Sequence, residues 1–155
     1  MTKLLCQIND EGFDTKPTDI KFMGRLRDKM IQRPWAHMDE EDFVTKVCYK
    51  GHAFYGCIFN GHDLMETGKQ RDCWRAQTIV AADIDKDDRD PVSVIADFML
   101  ADLTPWLVYP TFSEGKDGKH SYRIMWKVEV DHSVTYDQWK AIIKALGEKS
   151  GNPDK

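Results

Sequence analysis

Residues 78–100, "TIVAADIDKDDRDPVSVIADFML", carry in one run a buried strand, an acidic strand end and the start of a helix. The apolar stretch ends in Asp83, a single isoleucine and Asp85. Residues two apart on a strand point to the same face, so these two carboxylates are predicted to lie side by side. Like charges at that distance repel, which predicts a positive partner beside them. Asp90 and Pro91 are typical of a helix N-cap and of the first residue of a helix.

Two more strands and a second helix are predicted downstream. The third strand alternates apolar and polar residues, and Trp139 begins an apolar stripe at helical spacing. The order from Thr78 is therefore β-α-β-β-α, which lacks one strand of a ferredoxin-like unit. The predicted elements are strands at Thr78–Asp85, Trp106–Phe112 and Tyr122–Val130, a glycine-rich turn at Ser113–His120, and helices that begin at Asp90 and at Thr135, the second ending at Gly147.

The first half of the chain is predicted to form a helical and β extension of this core. The first 37 residues are irregular in pattern, apart from a short amphipathic helix in the basic stretch Lys21–Arg33. That stretch is either a solvated helix face or an arm that contacts phosphates. A helix is predicted from Asp39 to a stop at Gly51. A strand at His52–Asn60 and a polar loop at Gly61–Arg75 follow. Either this early strand completes the sheet, or the chain is a piece of a longer protein.

The composition is that of a single soluble domain over residues 1–155. Of the 155 residues 41% are hydrophobic and 31% charged, and the net charge is −4. The basic excess of many nucleic-acid-binding domains is missing, so such contacts would rely on local patches. No run approaches the roughly 18 apolar residues of a membrane helix, and the N-terminus lacks a signal-peptide layout. A cytoplasmic protein without membrane contact is therefore predicted. The four cysteines form no CxxC pair, which argues against a zinc ribbon.

The predicted strand order gathers polar side chains at one edge of the sheet. In a ferredoxin-like sheet the third strand lies between the other two, so Arg123 is predicted beside Asp83 and Asp85. Ser113 ends the second strand at the same edge, with His120 across the turn. Carboxylates bind Mg²⁺ or Mn²⁺, and guanidinium groups bind phosphate oxygens. A site for a metal-bound nucleoside triphosphate needs both.

A DxD alone is more often turn or cap chemistry. The remaining aspartates of the segment are interpreted in that way: Asp87, Asp88 and Asp90.

Four segments of the chain share a family pattern. They read "GHAFYGCIFNG", "RDCWRAQTIVAADID", "YPTFSEGKDGKHSYRIMW" and "VTYDQWKAIIKALG", and run from Gly51 to Gly147. In motifs, order and spacing they resemble the primase-polymerases of phages, plasmids and prophages, within the archaeo-eukaryotic primase superfamily. The resemblance implies an α+β fold, an RRM or ferredoxin-like palm with a β-α-β-β-α core, that binds two divalent metal ions and a nucleoside triphosphate.

The resemblance also implies roles for individual residues. The family's strand-terminal hhhDhD motif falls on Asp83 and Asp85, which would be catalytic and would hold Mg²⁺ or Mn²⁺ together with Asp154. The implied reaction is nucleotidyl transfer from nucleoside triphosphates on a single-stranded DNA template by two-metal-ion catalysis, as in DNA replication. The implied nucleotide ligands are Ser113, Lys119, His120 and Arg123, and the candidate nucleic-acid contacts are Arg71, Arg75 and Lys116.

The chain departs from the family's pattern at two points. The His that usually follows the family's Ser has no direct counterpart, because Glu114 and Gly115 follow Ser113. The Arg of the third motif would lie after Lys155, so the chain is predicted to be incomplete at its C-terminal end and to synthesise little or no primer alone. The sequence leaves open whether a helicase domain follows.

Two other classes of function stay open. The same fold without a complete catalytic set would serve as a non-catalytic DNA-binding module of a replication initiator protein. A DxD also serves unrelated metal-dependent phosphatases and nucleases. A third acidic residue near Asp83 and Asp85 would favour an enzyme. An exposed aromatic platform from Tyr109 or Trp126 would favour the binding module.

Overall fold

The computed structural model describes residues 3–61, 70–131 and 133–149, and within them the fold is mixed α+β, as the sequence predicts. The strands are β1 (Lys3–Ile8), β2 (Ala36–Asp39), β3 (Phe54–Tyr55), β4 (Cys57–Phe59), β5 (Trp74–Gln77), β6 (Ile79–Asp87), β7 (Leu107–Pro110) and β8 (His120–Lys127). The helices are α1 (Ile20–Gln32), α2 (Glu40–Val44), α3 (Gln70–Cys73), α4 (Pro91–Leu100) and α5 (Tyr136–Lys149). A π-helical turn at Thr45–Tyr49 continues α2, and a 3₁₀ turn at Lys116–Gly118 precedes β8.

The chain divides into two compact units. The first comprises Met1–Ile79 and Glu129–Tyr136, and the second comprises Val80–Val128 and Asp137–Lys155. The segments that carry the predicted β-α-β-β-α order fall almost entirely in the second unit. The first unit contains the segments for which the sequence predicts an extension.

The first unit contains a three-stranded antiparallel sheet in the order β2–β1–β3. Leu4 and Cys6 of β1 are buried. The neighbouring Gln7 is buried as well, and its side-chain amide donates to the carbonyls of Met30 at 3.3 Å and Arg33 at 2.6 Å. Burial on both faces removes the alternation of polar and apolar residues that marks a half-buried strand. The irregular sequence pattern of the first 37 residues thus conceals a regular strand, which agrees with the predicted helical and β extension.

Helix α1 confirms the amphipathic helix predicted in the basic stretch. Asp19 caps it, because its carboxylate accepts hydrogen bonds from the backbone N–H groups of Lys21 at 2.8 Å and Phe22 at 3.1 Å. One face of the helix is buried, at Leu26, Met30 and Ile31. The basic side chains lie on the exposed face: Arg25, Arg27 and Lys29.

The predicted strand His52–Asn60 is two short strands, β3 and β4, separated at Gly56. The Gly56 carbonyl accepts hydrogen bonds from the backbone N–H groups of Thr78 at 2.8 Å and Ile79 at 2.9 Å. A Cβ at position 56 would lie 2.3 Å from the Ile79 carbonyl oxygen, so this approach requires glycine. Strand β3 pairs with β1, and β4 pairs with β5. The alternative in which this segment completes the sheet of β6 is therefore wrong.

The predicted polar loop Gly61–Arg75 is only partly described. Residues 62–69 lie outside the described ranges. The rest of the segment forms α3 and the beginning of β5, where Trp74 pairs with Phe59 of β4. The loop prediction is wrong for this part. Its polar side chains lie on a helix and a strand, and these elements also contain buried residues such as Cys73.

The second unit contains a three-stranded sheet in the order β6–β8–β7. The prediction that the third strand lies between the other two is confirmed. Strands β7 and β8 are antiparallel, with Tyr109 opposite Arg123 and Val108 opposite Ile124. Tyr122 and Ile124 of β8 are buried, as expected for the central strand of a sheet.

Helix α4 connects β6 to β7 and begins where the cap signal predicts. The Asp90 carboxylate accepts a hydrogen bond from the backbone N–H of Ser93 at 3.1 Å. Val94 and Phe98 form the buried face of the helix. The Phe98 ring meets the ring of Trp126 on β8 edge to face, with centroids 5.0 Å apart. This contact packs α4 against the central strand.

Three residues of the second unit differ from what the local sequence pattern indicates, among them Gly147, the predicted helix end. Met125 is buried, although the alternation sets it with Arg123 on the polar face, because the middle of a central strand is covered on both faces. Met99 is 54% exposed, since α4 buries only a narrow stripe. Gly147 lies within α5, which runs to Lys149. A glycine ends a helix where it adopts a positive φ, and Gly147 does not.

Candidate functional site

Asp83 lies in the middle of β6 and Asp85 two residues before its end, both on the face opposite the buried Ile84. Asp83 contacts Arg123 of β8, and Asp85 contacts Ser121. From Asp83 to Asp85 the chain advances two residues along β6, while the contacted residue on β8 goes back two, from Arg123 to Ser121. This is the pattern of an antiparallel pair in which all four side chains share one face. The two carboxylates thus lie on the same face of the sheet, as the strand period predicts.

Arg123 is the positive group beside the aspartates. Its Nε donates to Asp83 Oδ1 and its Nη2 donates to Asp83 Oδ2 at 2.9 Å, so the two groups form a bidentate ion pair. Its Nη1 donates to the Tyr109 hydroxyl at 3.2 Å. Burial opposes the charge on Arg123, but the hydrogen bonds to Asp83 outweigh it and raise the pKa of Arg123 above its ordinary value. The side chains are 30% and 40% exposed for Arg123 and Asp83, so a ligand can reach the pair from solvent.

Ser121 belongs to the site, although the sequence prediction missed it. It is fully buried, and its hydroxyl donates to Asp85 Oδ1 at 3.1 Å. The Ser121 hydroxyl oxygen in turn accepts a hydrogen bond from the backbone N–H of Lys86 at 3.1 Å, and Lys86 has a φ of 57°. That left-handed conformation costs roughly 1–2 kcal/mol for a residue with a Cβ, and it persists where its surroundings fix it. The missed signal is spacing, because Ser121 is two residues before Arg123 and shares its face.

Glu114 is a second missed residue, and it closes the turn between β7 and β8. Its carboxylate accepts hydrogen bonds from the backbone N–H of Ser121 and from Nδ1 of His120, the latter at 2.9 Å. Two hydrogen bonds hold the pKa of Glu114 below its usual value. The larger effect comes from the backbone N–H of Ser121 and the smaller from the imidazole of His120. The residue after Ser113, where the family resemblance lacks its His, therefore supplies a carboxylate that anchors the start of β8.

Two of the predicted nucleotide ligands, Lys119 and His120, are paired with carboxylates other than those of Asp83 and Asp85. The Lys119 ammonium donates to Asp88, and the His120 ring donates to Glu114. The Lys119–Asp88 pair is exposed, so it contributes little to stability and opens readily. Among Lys119, His120 and Arg123, Arg123 is the side chain that the described contacts bring against the aspartates.

The remaining predicted ligands lie in separate places. Ser113 is half-buried in the turn after β7, where its carbonyl accepts the backbone N–H of Lys116 at 3.2 Å. Arg71 is in α3 and Arg75 is in β5, both in the first unit. The Arg75 guanidinium donates to the carbonyl of Asp72 at 3.1 Å. The nucleotide role of Ser113 and the nucleic-acid roles of the other three stay predictions.

The acidic residues that follow the site have turn and cap roles. Asp87 accepts the backbone N–H of Arg89 at 2.8 Å and forms a fork with its guanidinium, with 2.8 Å between Nη2 and Oδ2. The hydrogen bond from the Arg89 guanidinium is the main cause that holds the pKa of Asp87 below its ordinary value. Asp90 caps α4, and its hydrogen bonds with Ser93 lower the pKa of Asp90. The interpretation of Asp87 and Asp90 as turn and cap residues is confirmed.

The two aspartates fit a metal ion when a substrate supplies further oxygens. In the part of the chain that the structure describes, no group of three or more His, Cys, Asp or Glu side chains is arranged to hold a metal ion. Asp154, the predicted third ligand, lies outside the described residues. Mg²⁺ in nucleotide-dependent enzymes is usually bound by one or two carboxylates together with substrate phosphates. Asp83 and Asp85, on one face of one strand, match that kind of site.

The aromatic residues proposed as a stacking platform have other partners. Trp126 is 8% exposed, and its Nε1 donates to the carbonyl of Leu103 at 2.9 Å, so its ring belongs to the core. The Tyr109 ring centroid lies 6.0 Å from the Arg123 guanidinium carbon. A stacking platform that includes Trp126 is therefore not formed.

Comparisons of the chain with protein-family models, with curated proteins and with solved structures gave no match. The family resemblance thus rests on the motifs and their spacing alone. None of the described helices combines the length and the apolar character that crossing a membrane requires.

Proposed function

We propose that the chain is a primase-polymerase domain that transfers nucleotides from nucleoside triphosphates on a single-stranded DNA template. Its second unit would be the core of an RRM or ferredoxin-like palm. The observation that carries the proposal is the strand order β6–β8–β7, which sets Arg123 of the central strand against Asp83 of β6. Ser121 and Asp85 meet on the same face. Two carboxylates and a guanidinium on one open face are the groups that a metal-bound triphosphate needs.

Each polar residue of this face has a task in that reaction. A bound Mg²⁺ or Mn²⁺ ion supplies Lewis acidity, which makes the attacking hydroxyl more acidic and neutralises charge on the phosphate. Asp83 and Asp85 would hold the ion. Arg123 would bind phosphate oxygens through its planar fork. Ser121 orients Asp85 through its hydroxyl, and Glu114 fixes the backbone of Ser121.

Incorporation of labelled nucleotide on a single-stranded template, with Mg²⁺ or Mn²⁺, tests the proposal. Because the resemblance sets a third motif at or after Asp154, the assay uses residues 1–155 and any longer product of the gene. Metal-dependent synthesis is expected from at least one of these forms. In the active protein Asp83→Asn is expected to lower incorporation at least about 100-fold, since even the outer partners of a metal ligand contribute roughly 10–100-fold.

The matched control is Asp97→Asn, which changes an aspartate of α4 that is 60% exposed. This variant is expected to keep the wild-type rate. Incorporation that Asp83→Asn leaves unchanged would contradict the proposal, as would a complete lack of metal-dependent incorporation by every form of the protein.

A non-catalytic DNA-binding module of a replication initiator is the second candidate. The observation that favours it is that Arg123 already neutralises Asp83, and that the described residues form no group of three metal ligands. Under this candidate, single-stranded DNA binds in the presence of EDTA, and its affinity falls as the salt concentration rises. Asp83→Asn would not lower that affinity, because the variant removes a negative charge and releases the Arg123 guanidinium for phosphate contacts. Fluorescence anisotropy with a labelled oligonucleotide separates this candidate from the first.

A further inference from the structure

The Asp83–Arg123 pair presents a conflict for the proposed site. Both oxygens of the Asp83 carboxylate accept hydrogen bonds from the Arg123 guanidinium. The proposed function needs the same carboxylate for a divalent cation and the same guanidinium for a triphosphate. A cation next to the guanidinium is repelled by it, and a triphosphate next to the carboxylate is repelled in the same way. The pair has to separate before both ligands bind well.

We propose that triphosphate draws Arg123 away from Asp83 and thereby opens this carboxylate to the metal ion. This inference rests on the proposed function and adds an order of binding to it. Without triphosphate, the Arg123 guanidinium occupies both oxygens of Asp83 and lowers the affinity of this carboxylate for divalent cations. Carboxylate and phosphate oxygens accept the same planar fork from a guanidinium, so the exchange replaces one ion pair by another and leaves Arg123 charged throughout.

The surroundings of Arg123 keep its guanidinium close to both partners. The residue lies on the central strand β8, which is hydrogen-bonded to β6 on one side and β7 on the other. Its Nη1 donates to the hydroxyl of Tyr109 on β7 at 3.2 Å. With 30% of its side chain exposed, the guanidinium is open to an anion from solvent. The exchange therefore needs a change of side-chain rotamer and no movement of the sheet.

The exchange couples the two ligands thermodynamically. If triphosphate opens Asp83 to the cation, the cation must favour triphosphate by the same factor. Couplings of this kind are typically about 5-fold to 150-fold. A direct test has to measure each ligand alone, because Mn²⁺ and triphosphate also bind each other in solution.

The first arm of the test measures MnCl₂ alone by calorimetry and by loss of the free Mn²⁺ signal in electron paramagnetic resonance. Arg123→Gln removes the guanidinium that competes for Asp83 and is expected to raise the affinity for Mn²⁺ about tenfold. The matched control is Arg89→Gln, because Arg89 forms an equivalent fork with Asp87 and the variant removes the same charge. The control is expected to change the affinity less than about threefold, because Arg89 forms its ion pair with Asp87, which is not a proposed metal ligand.

The second arm measures inorganic triphosphate in EDTA. Asp83→Asn releases Arg123 and is expected to raise the affinity for triphosphate about tenfold, whereas Arg123→Gln lowers it. The control is Asp87→Asn, which releases Arg89 instead of Arg123 and is expected to change the affinity less than about threefold, because Arg89 is not a proposed triphosphate ligand. Circular dichroism establishes that each variant is folded.

A third measurement uses the wild-type protein, so it does not depend on the folding of any variant. The Nε–Hε NMR signal of Arg123 is expected to shift when inorganic triphosphate is added in EDTA. The exchange is overturned, with the proposed function still standing, if triphosphate binds without moving this signal and Arg123→Gln keeps the wild-type affinity for Mn²⁺. A folded wild-type protein that binds neither MnCl₂ nor triphosphate would overturn the proposed function and the exchange together.

Discussion

The carboxylate of Asp83 meets Arg123 through both of its oxygens, and that of Glu114 meets His120 and the backbone of Ser121. Ion pairs that remain open to solvent contribute about 0–1 kcal/mol each to the free energy of unfolding. At the residue scale these pairs therefore orient side chains more than they stabilise the fold. A ligand that offers a better partner can take either side chain at little energetic cost.

Glu114 gives a pH dependence at this scale. The pKa of Glu114 lies below its ordinary value of 4.5, first because of the backbone N–H of Ser121 and then because of His120. A carboxyl group whose pKa is lowered by folding adds stability above its unfolded pKa and loses it as the pH falls through the folded pKa. Urea unfolding is therefore expected to show Glu114→Gln less stable than wild type at about pH 6, with the difference shrinking as the pH falls below 4.5 and vanishing only below the lowered pKa of Glu114.

The control for this prediction is Glu148→Gln, which changes a glutamate of α5 that is 52% exposed. Its difference from wild type is expected to stay small at every pH. A Glu114→Gln difference that is the same at neutral and strongly acidic pH would show that the Glu114 contacts do not form in solution.

At the scale of elements, the sequence predicts those with a local signal. The Asp90 cap and the residues that follow it predict α4, and the basic amphipathic pattern predicts α1. Strand β1 has no such signal, because Cys6 and Gln7 are both buried and the alternation disappears. The break between β3 and β4 depends on Gly56 meeting Ile79, which lies far along the chain. Contacts of that kind cannot be read from neighbouring residues.

Gly56→Ala tests this packing at the element scale. The added Cβ would lie 2.3 Å from the Ile79 carbonyl oxygen, so the backbone has to shift, and a loss of about 1–3 kcal/mol in the free energy of unfolding is expected. Gly24→Ala in α1 is the control, because a Cβ there meets nothing within 4 Å. It is expected to gain about 0.5–1 kcal/mol, since alanine favours a helix over glycine. Chemical denaturation measures both, and equal stabilities for the two variants would contradict the described approach of Gly56 to Ile79.

At the scale of the whole molecule, the two units differ in how far the sequence predicts them. The strand order of the second unit follows from the sequence of elements, since the third strand of such a unit lies between the first two. That order, together with the strand period, also predicts that Asp83, Asp85 and Arg123 come together. It does not reveal Glu114, because the path of a turn depends on its own hydrogen bonds. Ser121 is overlooked because it falls where the turn is predicted to end.

The metal ion and the triphosphate are expected to bind together on the face formed by the end of β6 and the start of β8. Broadening of backbone amide NMR signals by substoichiometric Mn²⁺, with inorganic triphosphate present, tests this location most directly. The amide signals of residues 83–86 and 121–123 are expected to broaden first, because paramagnetic relaxation falls steeply with distance from the ion. Strongest broadening at another acidic group, such as Glu40, Glu41 and Asp42 in the first turn of α2, would contradict the proposed site.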